Sequence, residues 1–512
     1  MKPTQPHWPL ILFLAAIKFS LPFILQSPVY ELQRDEFLYY QQGLHLDLGY
    51  LENPPLLSYF GLISSWLGGT EFTLKLWASL LGALTLIVTC LITAQLGGRS
   101  FAQAIAGIGL LTGAYVRVHA LFQPNILDIF FWTVSIYFLI RFLHTQRTAH
   151  LYATAIGLAL GWWSKYSIVF LIAALFIALL LSKHRVIFLQ KRFYAAHLIA
   201  VLIVFPNIWW QYGHKWPVIH HMQELQETQL QYLNASDFIK DQFLMTLPVV
   251  FVWIAGLIWL LKHKELRFLA AAYLLVIVLL IAGGGKNYYS LGIYPMLFAA
   301  GGAAWQQWTI KRKWPRPVLI SLVILLTIPF IPLLLPIWKP EKLAKFYKEK
   351  GVDKIGLLRW EDLKDHELPQ DFADMLGWKE LTIKSEKFFN SLPDSVKADV
   401  IIYCRHYGQA GSLKFYGKEN TFRSKVITDN GSFLLWIPED INFKHLIFIG
   451  RTMPDKDDEV FQHFQKTTVI DSVTDKYSRQ LGDKIIFFEN ADNKARQLAR
   501  EGLNEMKKEF QR

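Results

Sequence analysis

The sequence predicts an α-helical polytopic membrane protein of about eleven transmembrane helices, followed by a C-terminal extracytoplasmic α/β domain. Three observations carry this. The 512 residues are 53% hydrophobic and 15% aromatic, more apolar side chain than one soluble core can use. The apolar residues crowd into positions 8 to 338, where mostly apolar stretches of about 17 to 24 residues recur, the length a helix needs to cross a hydrocarbon layer of about 30 Å. From Lys339 onward the composition turns charged and mixed, with no further span. The expected domains are 1–338 in the membrane and 339–512 outside it.

The spans are expected near 8–25, 72–95, 101–119, 125–143, 149–163, 166–182, 195–212, 242–261, 267–283, 288–308 and 317–337. The first is read as a retained span, because Lys18 interrupts it and Ser27-Pro28-Val29-Tyr30 is a poor cleavage site. Lys and Arg set the orientation. Fifteen lie in the loops of one face, including Arg99, Arg141, Lys183, Lys262 and Lys311, against seven on the other. The positive-inside rule then makes the N-terminus cytoplasmic, and an odd number of spans puts the C-terminal domain outside a plasma (inner) membrane.

The same count explains the net charge of +12. Residues 1–338 hold 23 basic and 12 acidic residues, whereas 339–512 hold 30 and 29, so the basic excess is a topology signal and no nucleic-acid partner is expected. The acids run the other way. Of the twelve in 1–338 only Glu265 falls on the cytoplasmic side, an asymmetry that points to an outer-face site. Cys90 and Cys404 are too far apart on this topology to pair, so neither a disulfide framework nor a thiolate metal site is expected.

In the tail, apolar runs at 354–358, 400–403, 433–436, 446–449 and 485–488 alternate with helix-like stretches and read as strands of a small α/β domain. The two long outer loops, 26–71 and 213–241, are amphipathic and suggest interfacial helices.

Several clusters at the outer ends of spans carry polar chemistry. Arg34-Asp35-Glu36 follows the first span directly. A solvated loop would explain it, but Asp35 stands beside Phe37, Leu38, Tyr39 and Tyr40, where desolvation would raise its pKa and make it a competent base. Glu52-Asn53-Pro54-Pro55 is a rigid turn or part of the same site. Asp128 opens the fourth span as a helix cap or a substrate ligand. Ser164-Lys165-Tyr166 and Gly283-Gly284-Gly285-Lys286-Asn287-Tyr288-Tyr289 fit a snorkelling lysine and an aromatic belt, or a phosphate site of ammonium groups and exposed amides. His220 and His221 are surface residues, or they join Glu52 in holding a divalent metal.

Taken in order, Asp35-Glu36, the Pro-Pro turn, Asp128, Ser164-Lys165-Tyr166, and Lys286-Asn287-Tyr288-Tyr289 with Tyr294-Pro295 resemble glycosyltransferase family 39. That group holds the protein O-mannosyltransferases and the lipid A aminoarabinose transferases. The resemblance covers about residues 8 to 310 and touches Tyr407-Gly408-Gln409-Ala410-Gly411 in the tail. It implies a GT-C fold and a polyprenyl-phosphate-linked sugar donor used on the outer face, with a lipid, glycan or protein acceptor. By carry-over, Asp35 matches the family's essential Asp, Asp128 an acidic residue lining the same cavity and Glu52 the Glu before the Pro pair; Glu36 is expected to join Asp35 and Asp128 as a catalytic residue. Arg34, Lys165, Lys286, Tyr288 and Tyr289 are then the expected donor-phosphate residues. The aminoarabinose transferases carry Lys before Pro-Pro, where this chain has Asn53. A polytopic lipid or glycan transporter is the competing reading, although transporters concentrate charge near the midplane.

Overall fold

A computed structural model describes residues 2–228, 234–454 and 458–510. Among the described residues, five helices in the first two thirds of the chain are long and apolar enough to cross a membrane: Trp8–Leu25, Glu71–Gln95, Pro124–Thr145, Lys191–Gly213 and Pro315–Leu334. Two sharply bent pairs, Ile168–Leu180 with Lys183–Leu189 and Ala235–Met245 with Leu247–Lys262, raise the number to seven. The eleven expected spans are thus only partly matched by full-length helices, and the reason lies in packing. The expected 101–119 span breaks into Ser100–Gly109 and Ala114–Val118, and the break holds Gly113 at φ 55°, with the Met245 carbonyl where a side chain would stand. The expected 288–308 span becomes a 3-10 turn, Asn287–Ile293, and a 15-residue helix, Tyr294–Trp308, buried from Tyr294 to Ala304. A helix enclosed by other helices need not match the thickness of the lipid.

Lys18, which interrupts the first span, is 2% exposed. Its ammonium donates to the Tyr115 carbonyl at 2.7 Å, and the Tyr115 hydroxyl donates to the Leu291 carbonyl at 2.6 Å. The first helix is thereby tied to the turn that carries Tyr288 and Tyr289. Both long outer loops form helices as expected: Arg34–Leu44 and Leu56–Trp66 in the first, Pro217–Thr228 and Ala235–Met245 in the second.

The C-terminal part holds a five-stranded mixed sheet in the order β2-β1-β3-β5-β4. The strands are β1 Val400–Cys404, β2 Val426–Ile427, β3 His445–Gly450, β4 Phe464–Ser472 and β5 Lys484–Ala491. β1 runs parallel to β2 and β3; β5 is antiparallel to β3 and β4. Three of the five expected strand runs are therefore strands. The run at 354–358 is instead turned by Gly351 and Gly356 at positive φ, and Phe433–Trp436 lies in the 3-10 segment Gly431–Trp436. β4 escaped notice because its burial alternates only weakly at the sheet edge.

The two parts share one core. Val400, Ile402, Cys404, Ile447, Ile449, Ile485 and Phe487, one face of the sheet, join Phe37, Leu38, Leu74 and Phe122 of the membrane part in a single buried cluster. Phe37 meets the edges of Trp378, Phe415 and Tyr416 at centroid distances of 5.5, 5.8 and 5.7 Å. The C-terminal domain is seated on the segment after the first helix, expected from sequence to lie on the outer face, by hydrophobic burial, so it is not a tethered appendage.

Candidate active site between the first outer loop and the outer domain

The Arg34–Leu44 helix begins with a capping box. The Gln33 side chain accepts the Asp35 amide, and the Glu36 carboxylate accepts the Gln33 amide at 2.7 Å. This fixes Asp35 and Glu36 in opposite surroundings. Glu36 is fully buried, and its other oxygen accepts the Phe122 amide at 2.7 Å. Glu36 therefore pins the first loop to the start of the Pro124–Thr145 helix. The catalytic role expected of it does not fit this geometry, because both oxygens are spent on backbone donors. Burial pushes its carboxyl up to about 7 against the pull of those two amides.

Asp35 keeps 24% of its side chain exposed. Its Oδ1 accepts the Tyr407 hydroxyl at 2.6 Å and Arg34 Nε at 3.3 Å, while Oδ2 has only the long 3.4 Å contact from Gln123 Nε2. The rise in pKa expected from desolvation is reversed. Burial does push the carboxyl up, but the Arg34 charge, the Tyr407 and Arg34 hydrogen bonds and His406 together hold it below the ordinary Asp value. Asp35 is thus ionised and oriented, with one oxygen left nearly free.

The lysine side lies at the outer ends of spans. Lys165 Nζ donates to Asn125 Oδ1 at 2.5 Å and sits over the rings of Tyr289 and Tyr288, at 4.0 and 5.0 Å from their centroids. Burial lowers its pKa, opposed by the charge of Asp128. Asp128 itself is 3% exposed, and its oxygens accept Trp132 Nε1 at 2.8 Å and Ser167 Oγ at 2.9 Å. It is a counter-charge to Lys165, and both of its oxygens are taken by side-chain donors. Lys286 is half-buried; burial lowers its pKa, while Glu361, Asp35 and Asp371 pull the other way. Asp241 accepts Asn287 Nδ2 at 2.6 Å and fixes the loop that bears Lys286.

Asp35 and Lys286 lie within electrostatic reach of each other, and Lys165 in turn feels Lys286. Tyr39, one turn beyond Asp35, feels Asp35, Tyr407, Glu52 and Tyr289; Tyr288 feels Tyr39, Asp35 and Asp371. A polar relay joins the two sides: Gln123 Nε2 reaches Gln33 Oε1 at 3.1 Å, Asn125 Nδ2 reaches Gln123 Oε1 at 3.3 Å, and Asn125 receives Lys165. Arg34, expected with the phosphate ligands, is instead drawn to Asp35 and lies 5.8 Å from the centroid of the Tyr407 ring.

The metal set does not fit. Glu52 accepts the Ser432 amide and hydroxyl and Gln42 Nε2, which occupies both of its oxygens. His220 is exposed and meets the edge of Phe510. Among the described residues no group of three or more His, Cys, Asp or Glu is placed to hold an ion. Asn53 is buried, accepting from Gln42 at 2.9 Å and donating to the Pro54 carbonyl at 2.8 Å, so it braces the Pro-Pro turn.

Three of the acids expected at the outer face, Glu31, Glu52 and Glu71, dock the C-terminal domain. Glu31 accepts the Trp378 and Lys379 amides at 2.8 and 3.1 Å, Glu71 accepts the Tyr416 hydroxyl at 2.8 Å and pairs with Lys379 at 2.7 Å, and Glu52 holds Ser432. Sequence reasoning missed Tyr407, Tyr39, Gln123, Asn125 and the ion network in which Arg479 pairs with Glu361 at 2.9 Å and Asp374 at 3.1 Å. The signals the sequence held for them were the Tyr407-Gly408-Gln409-Ala410-Gly411 stretch, the place of Tyr39 beside Asp35, and Gln123 and Asn125 just before Asp128.

Against known proteins, the family described as dolichyl-phosphate-mannose-protein mannosyltransferase matches residues 52–210, which include Asp128 and Lys165. The lipid A galacturonosyltransferase RgtD of Rhizobium johnstonii is 27% identical over 229 residues, 42% of this chain and 47% of that protein, so about half the length of that relative is matched. Among solved structures, ArnT of Cupriavidus metallidurans, determined with undecaprenyl phosphate bound, aligns with a TM-score of 0.59 at 12% identity, covering 94% of this chain and 97% of that one. The oligosaccharyltransferase AglB of Archaeoglobus fulgidus aligns with a TM-score of 0.50 at 11% identity, over 86% of this chain and 69% of that one. The chain thus matches that family over residues 52–210 and shares the polytopic helical fold of ArnT along nearly its whole length.

Proposed function

We propose that the protein transfers a sugar from a polyprenyl-phosphate donor to a hydroxyl of a membrane glycolipid of the lipid A type, on the extracytoplasmic face. The observation that carries this reading is an ionised, oriented Asp35 within electrostatic reach of Lys286, Tyr39 and Tyr288, with Lys165 held over the Tyr288 and Tyr289 rings. Sugar transfer from a lipid phosphate needs a base for the acceptor and positive charge for the leaving group, on opposite sides of the anomeric carbon. In one displacement the acceptor oxygen bonds to the anomeric carbon as the bond from that carbon to the phosphate oxygen breaks. The acceptor proton passes to Asp35, and the polyprenyl phosphate leaves against the lysines, with inversion at the anomeric centre.

Two further features support the reading. An apolar groove between the 148–164, 168–180 and 191–213 helices runs from Phe193 and Ala196 up to Trp162, three residues before Lys165, and is lined by Leu151, Leu158, Ile172 and Phe176. A prenyl chain in that groove would bring its phosphate to the lysine. The relative RgtD modifies lipid A, and ArnT was solved with undecaprenyl phosphate.

The test is transfer by the purified protein from polyprenyl-phosphate sugars, galacturonate among them, to lipid A. Turnover that disappears in Asp35→Asn while undecaprenyl phosphate still binds supports the assignment; wild-type turnover in Asp35→Asn with a hydroxyl acceptor removes it. A reporter fused after residue 512 is expected to be active only outside the cytoplasm, and cytoplasmic activity would invert the whole arrangement.

A further inference from the structure

We propose that the outer domain completes the catalytic centre, with Tyr407 as the positioning residue of the Asp35 carboxylate. The inference rests on Asp35 being the base.

The contact is a built one. Tyr407 is the first residue of the Tyr407–Tyr416 helix, whose start is fixed by a second capping box: His406 Nδ1 accepts the Gly408 amide and Gln409 Oε1 accepts the His406 amide. Gln409 Nε2 also donates to Asp483 at 2.6 Å, and Asn430 Oδ1 accepts the Tyr407 amide at 3.2 Å. The helix lies against Arg34–Leu44 through two glycines. A Cβ at Gly408 would stand 2.7 Å from Arg34 Cγ and 3.0 Å from the Trp378 ring, and one at Gly411 would stand 2.6 Å from Phe37 Cβ. Larger residues at either position would hold the two helices apart, so the glycines set the reach of the Tyr407 hydroxyl to Asp35.

The geometry has a chemical consequence. Tyr407 and Arg34 both occupy Oδ1, so Oδ2 is the oxygen left to take a proton. Donation from a phenol costs Asp35 some basicity and in return holds the carboxylate in one rotamer, so that Oδ2 meets the acceptor without a search. The charged and titratable groups that face Asp35 are Arg34 and Tyr39 on its own helix, His406, Tyr407 and Asp374 of the outer domain, and Lys286 and Tyr288 on the loop opposite. Removing the phenol hydroxyl removes a donor to the charged carboxylate, so the acid limb of the pH profile must move to higher pH.

The experiment uses the full-length protein in lipid nanodiscs with polyprenyl-phosphate galacturonate and lipid A, comparing Tyr407→Phe and Asp35→Asn with wild type. Tyr407→Phe keeps the ring beside Arg34. It is expected to lower kcat about tenfold, to leave undecaprenyl phosphate binding and thermal unfolding unchanged, and to raise the acid limb of kcat/KM. An unmoved acid limb with wild-type kcat in Tyr407→Phe, alongside an inactive Asp35→Asn, overturns the inference and leaves the base assignment standing. An active Asp35→Asn overturns both.

Discussion

The two sides of the site are built by opposite strategies. On the lysine side the hydrogen bonds that fix the site are made within the membrane part, between residues tens of positions apart, as with Lys165 to Asn125 and Asp241 to Asn287, and the C-terminal domain adds only the charges of Glu361 and Asp371 near Lys286. On the carboxylate side the contacts that orient Asp35, Glu31, Glu52 and Glu71 come from the outer domain, more than 340 positions along the chain. The difference teaches where the function is vulnerable. On the proposed reading, donor binding draws mainly on the membrane part, whereas the competence of the base depends on the C-terminal domain being seated.

The sharpest way to break this comparison is to remove each side in turn. Asp35→Asn keeps the shape and loses the proton acceptor, so turnover should fall about a hundredfold or more, while the affinity for undecaprenyl phosphate persists. A loss of binding equal to the loss of turnover would mean that the two sides are not separable.

A smaller effect is expected from the lysines. Lys165→Ala removes a charge fixed by Asn125 and two tyrosine rings, and should weaken undecaprenyl phosphate binding by about tenfold. Lys286→Ala, on a loop held through its neighbour Asn287, should cost less. Titration of the two variants with undecaprenyl phosphate separates them, and an Asp35→Asn-like defect with intact binding in either would place that lysine on the wrong side.

The legibility of the molecule follows the same division. Hydropathy exposes the membrane helices because lipid imposes a length and a polarity on each, but it overstates Tyr294–Trp308, which is buried in protein and obeys no such constraint. Asp35, Asp128, Lys165 and Lys286 stand out because charge at a span end is costly unless used. Their roles did not follow from that cost alone. Glu36 and Asp35 are adjacent in sequence and carry the same chemistry, and only the capping box, the Phe122 amide and the distant Tyr407 hydroxyl tell them apart. Tyr407 could not be assigned from sequence because nothing local to it announces that its hydroxyl ends on a carboxylate in the first loop.

The smallest expected effect concerns stability, and it separates the docking acids from the catalytic one. Glu31 and Glu36 are buried against backbone amides, and burial pushes each carboxyl up to about 7 from an ordinary value of 4.5. A carboxyl whose pKa is higher in the folded state binds its proton more tightly there, so its stabilisation is complete below the unfolded pKa and declines as pH rises toward 7. Asp35 has the opposite sign, since its folded pKa lies below 3.8 and its contribution is lost only in stronger acid. Between pH 5 and 8, therefore, the seating of the C-terminal domain through Glu31 and of the first loop through Glu36 should weaken with rising pH while Asp35 stays ionised throughout. Thermal unfolding of the full-length protein should give a lower Tm at pH 8 than at pH 5.5. Glu31→Gln should flatten that slope, because its amide oxygen still accepts from the Trp378 amide and no longer titrates. A Tm that rises over this interval would mean that the two acids are held ionised by their amide donors and that desolvation is the weaker force at the domain junction.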